Sequence, residues 1–189
     1  MAVRATSNVY EMRVADGFLG FSLAYPEDEL HLLQLLNGSQ LAAGWIAPEV
    51  VPWLEIGGDT PRIGDMAGWS AGEPVLSERA RLELAAHLES RAEALPIKSS
   101  VGKYFLINVT CLLPALVESK SRMFRYPSGG IGRIEHYELD PTTVADASIF
   151  KLAEWPTGKV LVAHSFVDTV RAAELTGFEF KKIWPHTDV

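Results

Sequence analysis

VLSERARLELAAHLESRAEALPI, running from Val75 to Ile97, decides the fold class. Val75-Leu76 is a short extended lead-in. Ser77 is a helix N-cap candidate with Glu78 close behind it, where an acid suits the helix dipole. Ala80, Leu84, Leu88 and Ala92 recur every four residues with Ala85 beside them, which predicts an amphipathic helix of roughly four turns. Leu95-Pro96-Ile97 then reads as extended chain, and Pro96 places it at a strand start or an edge. The pattern is strand–helix–strand.

A second such unit lies near the C-terminus. Leu161-Val162 leads into a helix over Ser165 to Leu175, Thr176-Gly177 closes it with glycine at the C-cap, and Phe178 to Ile183 is a strand. At a shift of 86 residues, Ala80 meets Phe166, Leu84 meets Val170 and Ile97 meets Ile183. Two readings fit this echo: a duplicated unit, or the shared needs of any two amphipathic helices beside a sheet. Between the units, Tyr104 to Val109 and Ile149 to Leu152 are apolar strands. Met123 to Tyr126 and Arg133 to Leu139 flank Ser128-Gly129-Gly130 as a hairpin.

Upstream, Val9 to Val14 alternates apolar and polar residues as a half-buried strand does, and Phe18 to Tyr25 reads as a second strand. Pro26 with Glu27, Asp28 and Glu29 opens a short leucine-rich helix that Asn37-Gly38-Ser39 ends. Residues 40–72 hold Trp45, Trp53 and Trp69 among turns and read as irregular, anchored by their aromatics. The expected architecture is α+β. A mixed sheet carries strand–helix–strand units on one side over residues 73–189, and residues 1–72 form a small acidic, tryptophan-rich lobe.

Composition narrows the function. The chain has 189 residues, 48% of them hydrophobic and 22% charged, as an ordinary globular domain does. One cysteine, Cys111, excludes an internal disulfide and reads as a buried structural thiol. Neither a secretory leader nor an apolar run of about 20 residues is visible, so a cytoplasmic, non-membrane protein is expected. The net charge is −7, and the first sixty residues hold two basic against eight acidic residues. Nucleic-acid binding needs a basic footprint, and this is its opposite.

Catalytic signals are missing. His31, His87, His136, His164 and His186 stand at no metal spacing, and neither a P-loop, a dinucleotide fingerprint nor a nucleophile elbow is present. No catalytic, cofactor-binding or metal-binding residue is expected. An enzyme would need His136 or His164 beside a carboxylate in a polar pocket.

Residues 73–185 resemble a numbered family of bacterial immunity proteins from polymorphic toxin systems, formerly a domain of unknown function. The resemblance rests on VLSERA (Val75 to Ala80), LPIK (Leu95 to Lys98), YFLINVTCLLPAL (Tyr104 to Leu116) and SIFKLAEWPTGKVLVAHSFVDTVRAAELTGFEF (Ser148 to Phe180). Ala163-His164 departs from it, because the second unit more typically carries Ser-Glu as at Ser77-Glu78. The resemblance implies a bacterial protein that binds and neutralises a cognate protein toxin without catalysis. The acidic residues Glu27, Asp28, Glu29, Glu55 and Asp59 are then the expected contact with a basic partner. The alternatives are a regulatory module that self-associates as a homodimer through a sheet edge, and a small-molecule enzyme.

Overall fold

The computed structural model describes residues 8–25, 27, 29–53, 60–69 and 73–185. The first half supplies β1 (Val9–Val14), β2 (Gly20–Leu23), α1 (Glu29–Leu35), β3 (Val50–Trp53), β4 (Met66–Trp69) and β5 (Val75–Ser77). It continues with α2 (Glu78–Glu83), α3 (Ala85–Leu88) and β6 (Ala92–Ile97). The second half begins with β7 (Tyr104–Val109), β8 (Leu112–Leu113), β9 (Arg122–Arg125), β10 (Ile131–His136) and α4 (Pro141–Val144). It ends with β11 (Ile149–Leu152), β12 (Leu161–Ala163), α5 (His164–Ala172) and β13 (Phe178–Trp184). The fold is α+β, as expected.

Two sheets carry the molecule. One has the order β3-β2-β4-β5-β7-β6, the other β13-β1-β12-β11-β8, and β9 and β10 form a separate hairpin. Pairing is antiparallel except for β2 with β4 and β8 with β11. The six-stranded sheet curls until its ends meet. The Lys98 N–H donates to the Pro48 carbonyl (2.8 Å), and the Val50 N–H donates to the Lys98 carbonyl (3.0 Å). The boundary expected at residue 72 falls between β4 and β5, which are neighbours in that sheet, while β1 lies inside the other sheet.

Apolar side chains form three layers. The middle one holds Met12, Met66, Leu76, Leu84, Ile107, Ile149, Val162 and Phe166, with residues of α2, α3 and α5. An outer layer around Phe21, Leu36, Trp69, Val75, Tyr104 and Leu106 lies within the curled sheet, and α1 packs into it through Leu32 and Leu36. The other outer layer, around Phe150, Leu161, Ile183 and Trp184, takes in Ile131 and Ile134 of the hairpin and Val144 of α4.

Two expectations need correction. Residues 40–72, read as irregular, include β3 and β4 of the six-stranded sheet. The four-turn helix over Ser77 to Ala92 is two short pieces, and Ala92 belongs to a strand. Leu84 leaves helical geometry (φ −95°, ψ 5°), and the chain reverses at Ser90 with φ 59°. The Arg91 carbonyl then accepts from the N–H groups of both Thr110 and Cys111, starting the β6–β7 ladder. The four-residue recurrence describes the buried face to Leu88, after which pairing overrides propensity. Ser77 caps as expected, its hydroxyl accepting from the Ala80 N–H at 3.1 Å. Ala163, at the same place before α5, makes no side-chain cap.

Candidate functional site

Large apolar side chains left in water are the clearest functional signal on the surface. They concentrate between β2 and β4: Tyr25, Leu30, Leu35, Ile46, Trp53 and Ile63, with Ile46 84% exposed. Elsewhere among the described residues such side chains are few, namely Phe124 and Tyr126 on the hairpin and Leu82 on α2. Tyr25, Leu35 and Ile46 join the half-buried Trp45 around a groove of about 450 Å³, with His31 and Glu49 at its rim.

The face is held by polar contacts that are exposed or partly buried around Glu93 and Trp45 and fully buried at Lys151. Trp45 donates its indole N–H to the Pro96 carbonyl at 2.8 Å, pinning the loop to β6. The Glu93 carboxylate accepts from the N–H groups of Leu41 (2.7 Å) and Ala42 (3.1 Å). The Asn108 side-chain amide donates to Glu93 and to the Ser39 carbonyl, both at 2.8 Å. Burial pushes the Glu93 carboxyl up, but these donors outweigh it and leave the group below its ordinary range. Below α1, the Lys151 ammonium donates to the Leu36 carbonyl at 3.2 Å and to Glu73 at 2.7 Å. Lys151 has no exposed surface, so a lysine of the second sheet ties down the end of a helix from the first half. Gly38 makes the same junction possible. At φ +93° a Cβ there would lie 2.6 Å from the Leu112 side chain, so only glycine lets the chain pass.

The acidic residues behave differently from one another. Glu27 is exposed beside α1, and Glu29 is the first residue of that helix. Asp28, Glu55 and Asp59 lie outside the described residues. What the sequence reading missed is the apolar side of the same region. Tyr25, Leu30, Ile46 and Trp53 resemble core candidates in a sequence, and only the fold shows them unburied. Of the tryptophans, Trp69 and Trp184 are core, Trp45 anchors, and Trp53 is 60% exposed.

The histidines sort by position. His87 is partly buried and bonds the Thr169 hydroxyl at 2.8 Å; burial, then Arg91, hold its pKa below the ordinary value. His164 opens α5 at the surface, 3.0 Å from the Tyr10 hydroxyl and 3.5 Å from Asp168, with nearly half its side chain in solvent. His136 lies on β10 opposite Arg122. Among the described residues, no group of three metal-ligating side chains comes together, and no helix is long and apolar enough to cross a membrane. Cys111 is half-buried, and burial raises its pKa while the positive charge of Arg91 opposes the rise.

A family model described as an immunity protein family (Imm11) matches residues 55–184, more than half of the chain. The chain belongs to the Imm11 immunity protein family. The match extends the resemblance read from residues 73–185 upstream into the first half. Most of the apolar face, from Tyr25 to Trp53, precedes the residues that the Imm11 model describes. A search of curated proteins finds no match.

Proposed function

We propose that this Imm11 protein is a non-catalytic binder that captures a protein toxin in the cytoplasm of a bacterium, on the apolar face around α1 and Ile46. The concentration of exposed apolar side chains between β2 and β4 carries this reading. Fully burying an isoleucine or leucine side chain stabilises by about 1.5–3 kcal/mol, so a few such anchors supply the hot spot of an interface. Glu49 lines the groove, the exposed Glu27 follows the groove residue Tyr25 by two positions in the chain, and both suit a partner with basic residues around an apolar contact. The framework beneath it is tied by Lys151, Asn108 and Glu93, which presents the face preorganised.

The test is co-purification and calorimetry with the product of the neighbouring gene as the candidate toxin. Ile46→Asp and Tyr25→Asp should weaken binding at least about thirtyfold, equivalent to about 2 kcal/mol, with thermal stability unchanged. Full binding by both variants, together with loss of binding in Phe124→Asp, would move the docking site to the hairpin and end this assignment.

A further inference from the structure

We infer that the chain is two copies of one unit, residues 9–97 and 104–184, which have exchanged their first strands. The pairing registers carry the argument. β7, the first strand of the second half, inserts between β5 and β6, with Val75 opposite Leu106 and Ala92 opposite Val109. β1, the first strand of the first half, inserts between β12 and β13, with Leu161 opposite Glu11 and Phe178 opposite Val14. Moving Val75 and Ala92 on by the shift of 86 residues gives Leu161 and Phe178. A shift of about 95 turns Glu11 and Val14 into Leu106 and Val109, so both ladders share one register.

Next to these strands the match continues. Met66 faces Leu76 as Ile149 faces Val162. The two parallel pairs also correspond: Gly20 with Gly68 and Phe21 with Trp69 in one sheet, Leu112 with Lys151 and Leu113 with Leu152 in the other. Hydrogen bonds outside the ladders repeat as well. Ile107 donates to Pro74 as Met12 donates to Val160, and Ser77 donates to Asp65 as Ala163 donates to Ser148. A strand–helix–strand motif alone does not demand agreement in four separate ladders.

The middle core explains why the sequence shows so little of this. Ala80, Ala92 and Ala94 in the first half correspond to Phe166, Phe178 and Phe180 in the second, and all six pack in the same layer. Where two equivalent faces meet across a pseudo-twofold axis, equal large side chains compete for one space. A small residue facing a large one fills it. Complementary packing therefore erases identity at the positions where a repeat is sought.

Each unit carries its own insertion between its parallel strands. In the first it is α1 and β3, which form the apolar docking face. In the second it is the β9–β10 hairpin and α4, which cover the other outer layer. Neither sheet is complete without a strand from the other half, so the halves fold as one.

The test uses the full chain with a protease site inserted after Ser100, in the exposed loop between β6 and β7. After cutting, the two pieces should elute as one particle and unfold in a single transition. A piece that separates and keeps a folded circular dichroism spectrum and slow amide exchange would overturn the inference. The uncut wild type gives a second reading that needs no insertion. Amides of β1 should exchange as slowly as those of β7, through global unfolding only. Fast local exchange of Val9 to Val14 beside a protected β7 would also overturn it.

Discussion

Replacing Lys151 with methionine removes one charge from the most enclosed ion pair among the described residues. The Lys151 side chain has no exposed surface, and that of Glu73 is 7% exposed. Methionine keeps the apolar stem and its volume but takes the ammonium away from Glu73 Oε1 (2.7 Å) and the Leu36 carbonyl (3.2 Å). Glu73 Oε2 already has no hydrogen-bond partner, so the carboxylate loses its ion-pair partner and keeps only the electrostatic effect of Lys159. Breaking a buried pair from one side costs about 3–5 kcal/mol. For a chain of this size each kcal/mol moves Tm by about 2–4 °C, so a fall of roughly 6–20 °C is expected by calorimetry.

Acidity adds a second axis to the same experiment. Burial raises the Glu73 pKa, and Lys151 opposes that rise. Without Lys151 the folded-state pKa moves further above the unfolded value. The deficit should therefore be small in acid, where Glu73 is protonated, and should grow as pH rises through the folded pKa. Lys151→Met/Glu73→Gln should recover most of the loss, because no uncompensated charge remains. A single variant within about 1 kcal/mol of wild type, or a double variant no more stable than the single, would refute the reasoning.

Other consequences are simpler to measure. Ser77→Ala removes both a helix cap and the 3.0 Å bond that Ser77 donates to Asp65, and should cost about 1–2 kcal/mol in urea melts. Ala163→Ser places a hydroxyl at the matching position before α5 and should gain about 0.5–1 kcal/mol; no gain would mean that the two helix starts differ. The depressed pKa of His87 means that unfolded chains take up its proton first. Stability should thus fall as pH drops below the ordinary histidine value, and His87→Gln should flatten that slope. Glu93→Ala should speed amide exchange at Leu41 and Ala42 while leaving β7 protected.

Local patterns were easy to read where a strand alternates or a helix begins. Val9 to Val14, Tyr104 to Val109 and Ser77 as a cap all follow from nearest neighbours. Placing β1 between β12 and β13 does not, because it depends on contacts more than 140 residues apart. The break at Leu84 was hidden for a similar reason: the recurrence of apolar residues is unaltered, and only the ladder at Arg91 stops the helix. On the apolar face around α1, charge was visible and exposure was not. An exposed Ile46 and a buried Ile97 look alike in a sequence, and they part only in the fold, where Lys98 pairs with Pro48 and Val50 just beyond Ile46.

That pairing at Lys98 has a consequence for how the protein behaves when it is made in quantity. With the six-stranded sheet curled onto itself, its two ends offer little template for an incoming chain. β13 is the long strand left at a sheet's rim, and it carries Glu179, Lys181 and Lys182 among its aromatics. A foreign strand laid there would have to accommodate those charges, which guards the chain against fibril growth at its most receptive border.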